Sequence, residues 1–220
     1  MTPAAPPRLF SLCLVGAGRA GTAVAVALQR AGHSVVGVAS RTAGSAEAAA
    51  ARLGAEVVDV EALPRCDVVL LGVPESALRS VGDFVAEQMS PGTVVWHLAG
   101  AAGVRPLIPV ARVGGFRCAL HPVQAFPDPD AGLARLPGSA WGLTCDDGIR
   151  EWARTVVTED LGGRVFELAE EARPVWHAAA VTAASGAIAI MSLGEQLLGS
   201  IGVGAAGDVL GPLAGASVAN

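Results

Sequence analysis

The chain has 220 residues, enough for one large domain or for a nucleotide-binding domain with a small companion. Hydrophobic residues make up 52% of it and charged residues 16%, which argues against disorder. A formal net charge of −5 at pH 7 argues against nucleic acid or an anionic membrane as a partner.

Met1 to Arg8, with three prolines, reads as a loose arm. An apolar run follows Arg8, but its glycines suit a strand and turn better than an export leader, so none is expected. Leu12 to Gly16 reads as a strand running into Gly16-Ala17-Gly18-Arg19-Ala20-Gly21, a complete G-x-G-x-x-G. An Ala/Val/Leu helix continues to Arg30, and Val35 to Ala39 form a second strand. Strand, glycine turn, helix and strand in this order make the dinucleotide-binding arrangement. Gly16 lets the chain turn off the strand, Gly18 lets the backbone approach a pyrophosphate, and Gly21 lets the helix pack closely. The N–H groups of Arg19, Ala20 and Gly21 then face the phosphates at the helix start. A turn that serves only packing is the competing reading; the three elements in register favour nucleotide binding.

The end of the second strand selects the cofactor. An NAD site has a carboxylate there for the ribose hydroxyl, whereas an NADP site has a basic group for the 2′-phosphate. Here stand Ser40-Arg41-Thr42, with no Asp or Glu between Val35 and Ala46. A planar guanidinium binds two phosphate oxygens at once, so NADP is expected.

Beyond this point an Ala-rich helix runs from Gly44 to Leu53 and closes at Gly54, followed by a short strand at Glu56 to Val58. Asp67 to Val73 is a continuous apolar run, as befits a parallel strand buried on both faces. A helix from Glu75 to Gln88 and a strand from Thr93 to Leu98 come next. This alternation indicates an α/β fold with a doubly wound, mostly parallel sheet. Ligands in such sheets lie beyond the carboxyl ends of the strands, which places Val73, Pro74, Ala99 and Gly100 at the cofactor's rim, as contacts or as turn formers. Val113 to Leu120, Ser139 to Thr144 and Arg164 to Leu168 read as strands that extend the sheet with some antiparallel pairing. Ile149 to Leu161 reads as a helix between the last two.

Residues 1–168 are therefore expected to form the nucleotide-binding domain, and residues 169–220 a smaller, all-helical one. Pro174 to Gly194 has no formally charged residue apart from His177 and by length could span a bilayer. Its Ala, Ser, Thr and Gly content and its non-basic flank favour a buried soluble helix, packed on the sheet domain or on a second subunit. A homodimer without membrane contact is the expectation. The helical pattern continues to Asn220 without a clear cap, which suggests truncation or completion by a partner.

Cys13, Cys66, Cys118 and Cys145 are far apart and form no C-x-x-C, so they read as reduced thiols of a cytoplasmic protein, with no cysteine metal site. There is no Tyr, and all 15 basic residues are Arg. A Tyr-x-x-x-Lys dehydrogenase is excluded, as is any that depends on a catalytic lysine. Reduction of a carbonyl or imine needs a donor near the developing negative charge. His121, where a strand meets the loop His121-Pro122-Val123-Gln124-Ala125-Phe126, is the best placed, with Gln124 to orient it or the substrate; a loop-capping histidine is the equal alternative. His177 and Ser185 lie about 2.2 helical turns apart and share a face within some tens of degrees, as catalytic groups or as an internal hydrogen-bonded pair. His97 reads as structural, His33 as a surface cap and Glu195 as a weaker acid. Arg105 or Arg173 is a candidate for holding a substrate carboxylate.

VGAGRAGTA, SRT, LLGVPESAL, WHLAG, HPVQAF and WHAAAVTAAS follow one another in this order over most of the chain. Together they resemble the uncharacterised Rossmann-like oxidoreductases that carry a C-terminal helical domain of unknown function. These are similar in plan to pyrroline-5-carboxylate reductase and ketopantoate reductase. The resemblance implies an NADP site on the first domain and a helical dimerisation domain behind it. Two departures, Arg173 where Lys is common and Ser185-Gly186 where Ser-Asn is common, weaken the transfer of a catalytic role. The expectation is an NADP(H)-dependent oxidoreductase acting on a small ketone or imine acid. The alternative is a non-catalytic dinucleotide-binding sensor or scaffold.

Overall fold

The computed structural model describes residues 5–219. Strand β1 (Ser11–Val15) turns at Gly16 into α1 (Arg19–Arg30) and returns as β2 (Ser34–Ala39). Helix α2 (Ala43–Leu53) stops at Gly54, whose left-handed φ of 58° ends the helix without Cβ strain. Then come β3 (Glu56–Val57), β4 (Val68–Leu71), α3 (Leu78–Gln88) and β5 (Val94–His97). The second half adds α4 (Ile108–Arg112), β6 (Phe116–Val123), α5 (Pro129–Ala134), β7 (Ala140–Cys145), α6 (Arg150–Thr155) and β8 (Arg164–Glu167).

Among the described residues, eight strands join one sheet in the order β3-β2-β1-β4-β5-β6-β7-β8. Every pairing is parallel except β6 with β7. The period of two sorts the side chains onto two faces. Leu12, Leu14, Val68 and Leu70 join the core with α1, while Val15, Val69 and Leu71 join the core with α3. Strand order reverses between β1 and β4, and the crevice for a ligand opens outside the carboxyl ends at that switch point.

Several boundaries differ from the sequence expectation. Val113 to Gly115 are not strand: Gly114 takes φ 82° in a turn, and β6 starts at Phe116. At its other end β6 runs through His121 to Val123 instead of yielding to a loop at His121. Pro122 is tolerated because Asp146 N donates to Arg117 O, which puts Pro122 at a non-hydrogen-bonded position against β7. Its missing N–H would point towards β5, which has already ended at His97 opposite Ala119. The helix expected up to Leu161 changes after Thr155 into a wider π turn, Val156–Asp160.

Two histidine and arm assignments also change. His33 is not a surface cap but is 3% exposed, stacked on Phe10 with ring centroids 3.7 Å apart. Its Nε2 meets Asp160 Oδ2 at 3.0 Å, and Arg8 holds the other oxygen at 2.7 Å. Arg8 is thus pinned, because a carboxylate buried beside His33 needs a charged partner; residues 1–4 of the expected arm lie outside the described residues.

The chain divides into two compact units, the first ending at Trp176 and the second starting at His177. The first runs past the boundary drawn after Leu168 because Glu170 accepts from Val104 N and Arg105 N, at 2.9 and 3.2 Å. Helix α7 (Arg173–Val181) continues through a π turn at Thr182–Gly186 into α8 (Ala187–Ser200), with α9 (Ala206–Ala219) after it. The continuous helix Glu170–Ser200 is long and apolar enough to cross a membrane, and its most apolar stretch is 0% buried. Both core clusters consist of residues of the first unit.

Candidate functional site

The glycine turn is held by close backbone contact. Gly16 has φ 93°, and a Cβ on it would come within 2.7 Å of Gly72 C. A Cβ on Gly21, which is buried, would meet Gly16 O at 2.7 Å. Gly72 ends β4 beside β1, donating its N–H to Val15 O at 2.8 Å, and completes this stack of three glycines. Sequence reasoning missed Gly72; its signal was a glycine at the carboxyl end of a strand next to β1.

Gly18 behaves differently. It is exposed, its φ of −80° suits any residue, and a Cβ there would touch only Gly72 O, at 3.7 Å. The fold itself does not require a glycine at this point. What it leaves is open backbone at the start of α1, where Gly18 forms no side-chain cap. Uncapped N–H groups at Arg19, Ala20 and Gly21 and the helix dipole suit an anion. Ala17 and Ala20 are half-buried on either side, and exposed Arg19 donates to Pro127 O at 3.3 Å. The cradle fits a dinucleotide pyrophosphate.

Ser40 is half-buried at the end of β2, while Arg41 and Thr42 are exposed. No ion pair among the described residues engages Arg41. Thr42 donates its hydroxyl to Ser45 at 2.8 Å before α2. Half-buried Val73 and exposed Pro74 follow β4, and Ala99 and the buried Gly100 follow β5. All of these therefore share the carboxyl edge of β2, β1, β4 and β5.

His97 is fully buried at that edge. It donates from Nε2 to Gly103 O at 2.8 Å and accepts from Ala99 N at Nδ1, 3.2 Å away. Both ring nitrogens are satisfied only when the imidazole is neutral. Burial lowers its pKa from 6.5 to about 4, with the carbonyl of Gly103 opposing and the charge of Arg173 adding to the shift. The unfolded chain thus binds this proton from pH 6.5 downwards and the folded chain only near pH 4. Stability is expected to fall as pH drops through that window and to level off below it. The loss amounts to about 3 kcal/mol at most. Urea unfolding at pH 7 and pH 4.5, with His97→Gln as the flattened reference, checks this; equal slopes for both proteins would refute it.

Arg173 is likewise fully buried. Its guanidinium donates to the oxygens of Ala99 (2.9 Å), Ala119 and Gly142 (both 3.3 Å), and to Thr144 Oγ1 (3.2 Å). Desolvation lowers its pKa, and among the described residues Nε has no hydrogen-bond partner. Arg105 pairs with Glu171 at 3.1 Å. Neither arginine therefore presents the unengaged carboxylate clamp expected of one of them: strand carbonyls occupy Arg173, and acidic neighbours occupy Arg105.

β6 overshoots β5, so His121 lies beyond the carboxyl end of β5, half-buried and opposite Gly142 on β7. Trp176 Nε1 donates to His121 Nδ1 at 3.1 Å. Gln124 does not orient the histidine: its amide bonds Arg135 O at 3.2 Å and Ala125 N at 2.8 Å. Sequence reasoning missed Trp176, whose only signal was its place next to His177. His177 and Ser185 belong to the second unit, half-buried and exposed respectively. The π turn at Thr182–Gly186 rotates less per residue than an α-helix, which brings the two nearer to one face than uniform helix would.

A Rossmann-like domain model matches residues 2–122. The chain belongs to the Rossmann-like domain family. Residues 139–220 match a domain of unknown function, DUF2520. No curated protein matches the chain. Among solved structures, a provisionally named NADP oxidoreductase from Bacteroides fragilis is similar with a TM-score of 0.77 at 23% identity, over 94% of this chain and 78% of its own. Pyrroline-5-carboxylate reductase from Streptococcus pyogenes has a TM-score of 0.70 at 15% identity, over 97% and 80%. The Plasmodium falciparum pyrroline carboxylate reductase, solved with NADP bound, has a TM-score of 0.68 at 14% identity, over 95% and 77%. At these identities the likeness is one of fold.

Proposed function

We propose that the protein is an NADP(H)-dependent oxidoreductase that reduces a small ketone or imine acid. The observation that carries this reading is Gly18, a glycine that the protein's own packing does not need, at the uncapped start of α1. Similarity to a structure with NADP bound adds support. Gly16, Ala17, Gly18, Arg19, Ala20 and Gly21 would hold the pyrophosphate, and Ser40, Arg41 and Thr42 the 2′-phosphate. Val73, Pro74, Ala99 and Gly100 would line the way to the nicotinamide. The bound cofactor would supply the hydride. His121 would donate to the substrate oxygen or nitrogen as negative charge grows on it.

His177 and Ser185 are proposed to contribute from the second unit. Pairing with a second copy of the chain, as a homodimer, would cover the exposed Ile188, Ile190, Leu193 and Leu197. The engagement of Arg105 and Arg173 within the protein favours one competing reading, a dinucleotide-binding sensor without turnover.

Titration with NADPH and NADH tests the cofactor assignment. NADPH is expected to bind at least tenfold more tightly, about 1.4 kcal/mol, and Arg41→Ala to erase the difference. Equal binding of the two nucleotides by the wild type would end the NADP reading. Nucleotide binding without NADPH oxidation across a panel of keto and imino acids would favour the sensor.

A further inference from the structure

We propose that Trp176 is a positioning residue for His121, holding it as the neutral tautomer with its proton on Nε2. The proposal rests on the reading of His121 as the donor to substrate. An indole N–H can only donate, so the Nδ1 that it meets at 3.1 Å must accept. A neutral imidazole that accepts at Nδ1 carries its hydrogen on Nε2. The bond exists only while Nδ1 carries no proton. His121 therefore acts as a neutral hydrogen-bond donor to the growing charge, and the proton that completes reduction comes from solvent water.

Three separate features place the indole. His121 pairs across the β6–β7 ladder with Gly142. A Cβ on Gly142 would lie 2.8 Å from Trp176 Nε1 and 2.9 Å from its Cε2, so a glycine opposite the histidine is what admits the ring. Phe166 on the neighbouring strand β8 packs on the indole with centroids 5.8 Å apart. Arg173, one helical turn before Trp176 and so on the same side of α7, ties the start of that helix to Ala119 O and Gly142 O. β6, β7, β8 and α7 thus converge on one N–H···N bond.

The test is nitrogen NMR of 15N-histidine-labelled full-length protein at pH 7, without substrate, for the wild type, Trp176→Phe and Gly142→Ala. Trp176→Phe keeps the ring and deletes the donor; Gly142→Ala displaces the ring and serves if the first variant does not fold. The expected result is the Nε2–H tautomer alone in the wild type and a mixture of tautomers in either variant. An Nδ1–H tautomer in the wild type, or unchanged spectra in folded variants, overturns the proposal. In turnover, Trp176→Phe is expected to lower kcat about tenfold with KM unchanged; wild-type kcat would overturn the positioning role. The NMR readout needs neither cofactor nor substrate, so its failure is distinct from failure of the reductase reading, which the nucleotide titration and substrate panel test.

Discussion

Gly16→Ala is expected to destabilise the protein by about 4 kcal/mol, whereas Gly18→Ala, two residues on, leaves stability unchanged and weakens NADPH about tenfold. At Gly16 two costs add. An L-residue at φ 93° is strained, and its Cβ would sit 2.7 and 2.8 Å from the C and O of Gly72 and 2.8 Å from Val73 Cγ1. Two of those atoms are backbone at the end of β4, which lies in the middle of the sheet between β1 and β5. Relief would require parting β1 from β4. At Gly18 the backbone is ordinary and the nearest atom is 3.7 Å away, so a methyl group meets only what binds there. Urea unfolding together with NADPH titration separates the two effects. A loss of stability at Gly18 matching that at Gly16, or unchanged NADPH affinity in Gly18→Ala, would show that this glycine serves packing and not a ligand.

Arg173→Met is expected to cost about 3 kcal/mol, and Arg173→Lys as much or more. The side chain is 0% exposed, and among the described residues its hydrogen-bond partners are three carbonyls and one hydroxyl, with no carboxylate. Methionine removes the burden of a desolvated charge, which offsets part of the loss, but leaves Ala99 O and Thr144 Oγ1 short of a donor. Lysine keeps the burden. Its compact ammonium lacks the planar fork that lets Nη2 reach the loop after β5 while Nη1 reaches β6 and β7. Denaturant midpoints for the three proteins provide the check. A lysine variant as stable as the wild type would show that charge, not the fork, matters here.

Much of the fold was legible because its cause is local. Apolar runs at Leu12, Val68 and Val94, separated by helical segments, could only become parallel strands covered on both faces, and they did. What covers the apolar helix after Pro174 is not legible in the chain, because an apolar surface states a need for cover without naming what supplies it. The β6 boundary was misread because Pro122 normally ends a strand, and only the early end of β5 permits it to continue.

The glycine turn, the switch from strand to helix after it, and the basic group at the end of β2 are local properties of the chain, since each depends on neighbours within a few residues. Long-range packing is what makes Gly72 complete the glycine stack, lets Arg173 bind strand carbonyls, and brings Trp176 to His121 beside Gly142. Those contacts join residues up to 74 positions apart, as between Ala99 and Arg173. They arise from sheet order and strand register, which fix who stands opposite whom and leave no periodic mark in the chain.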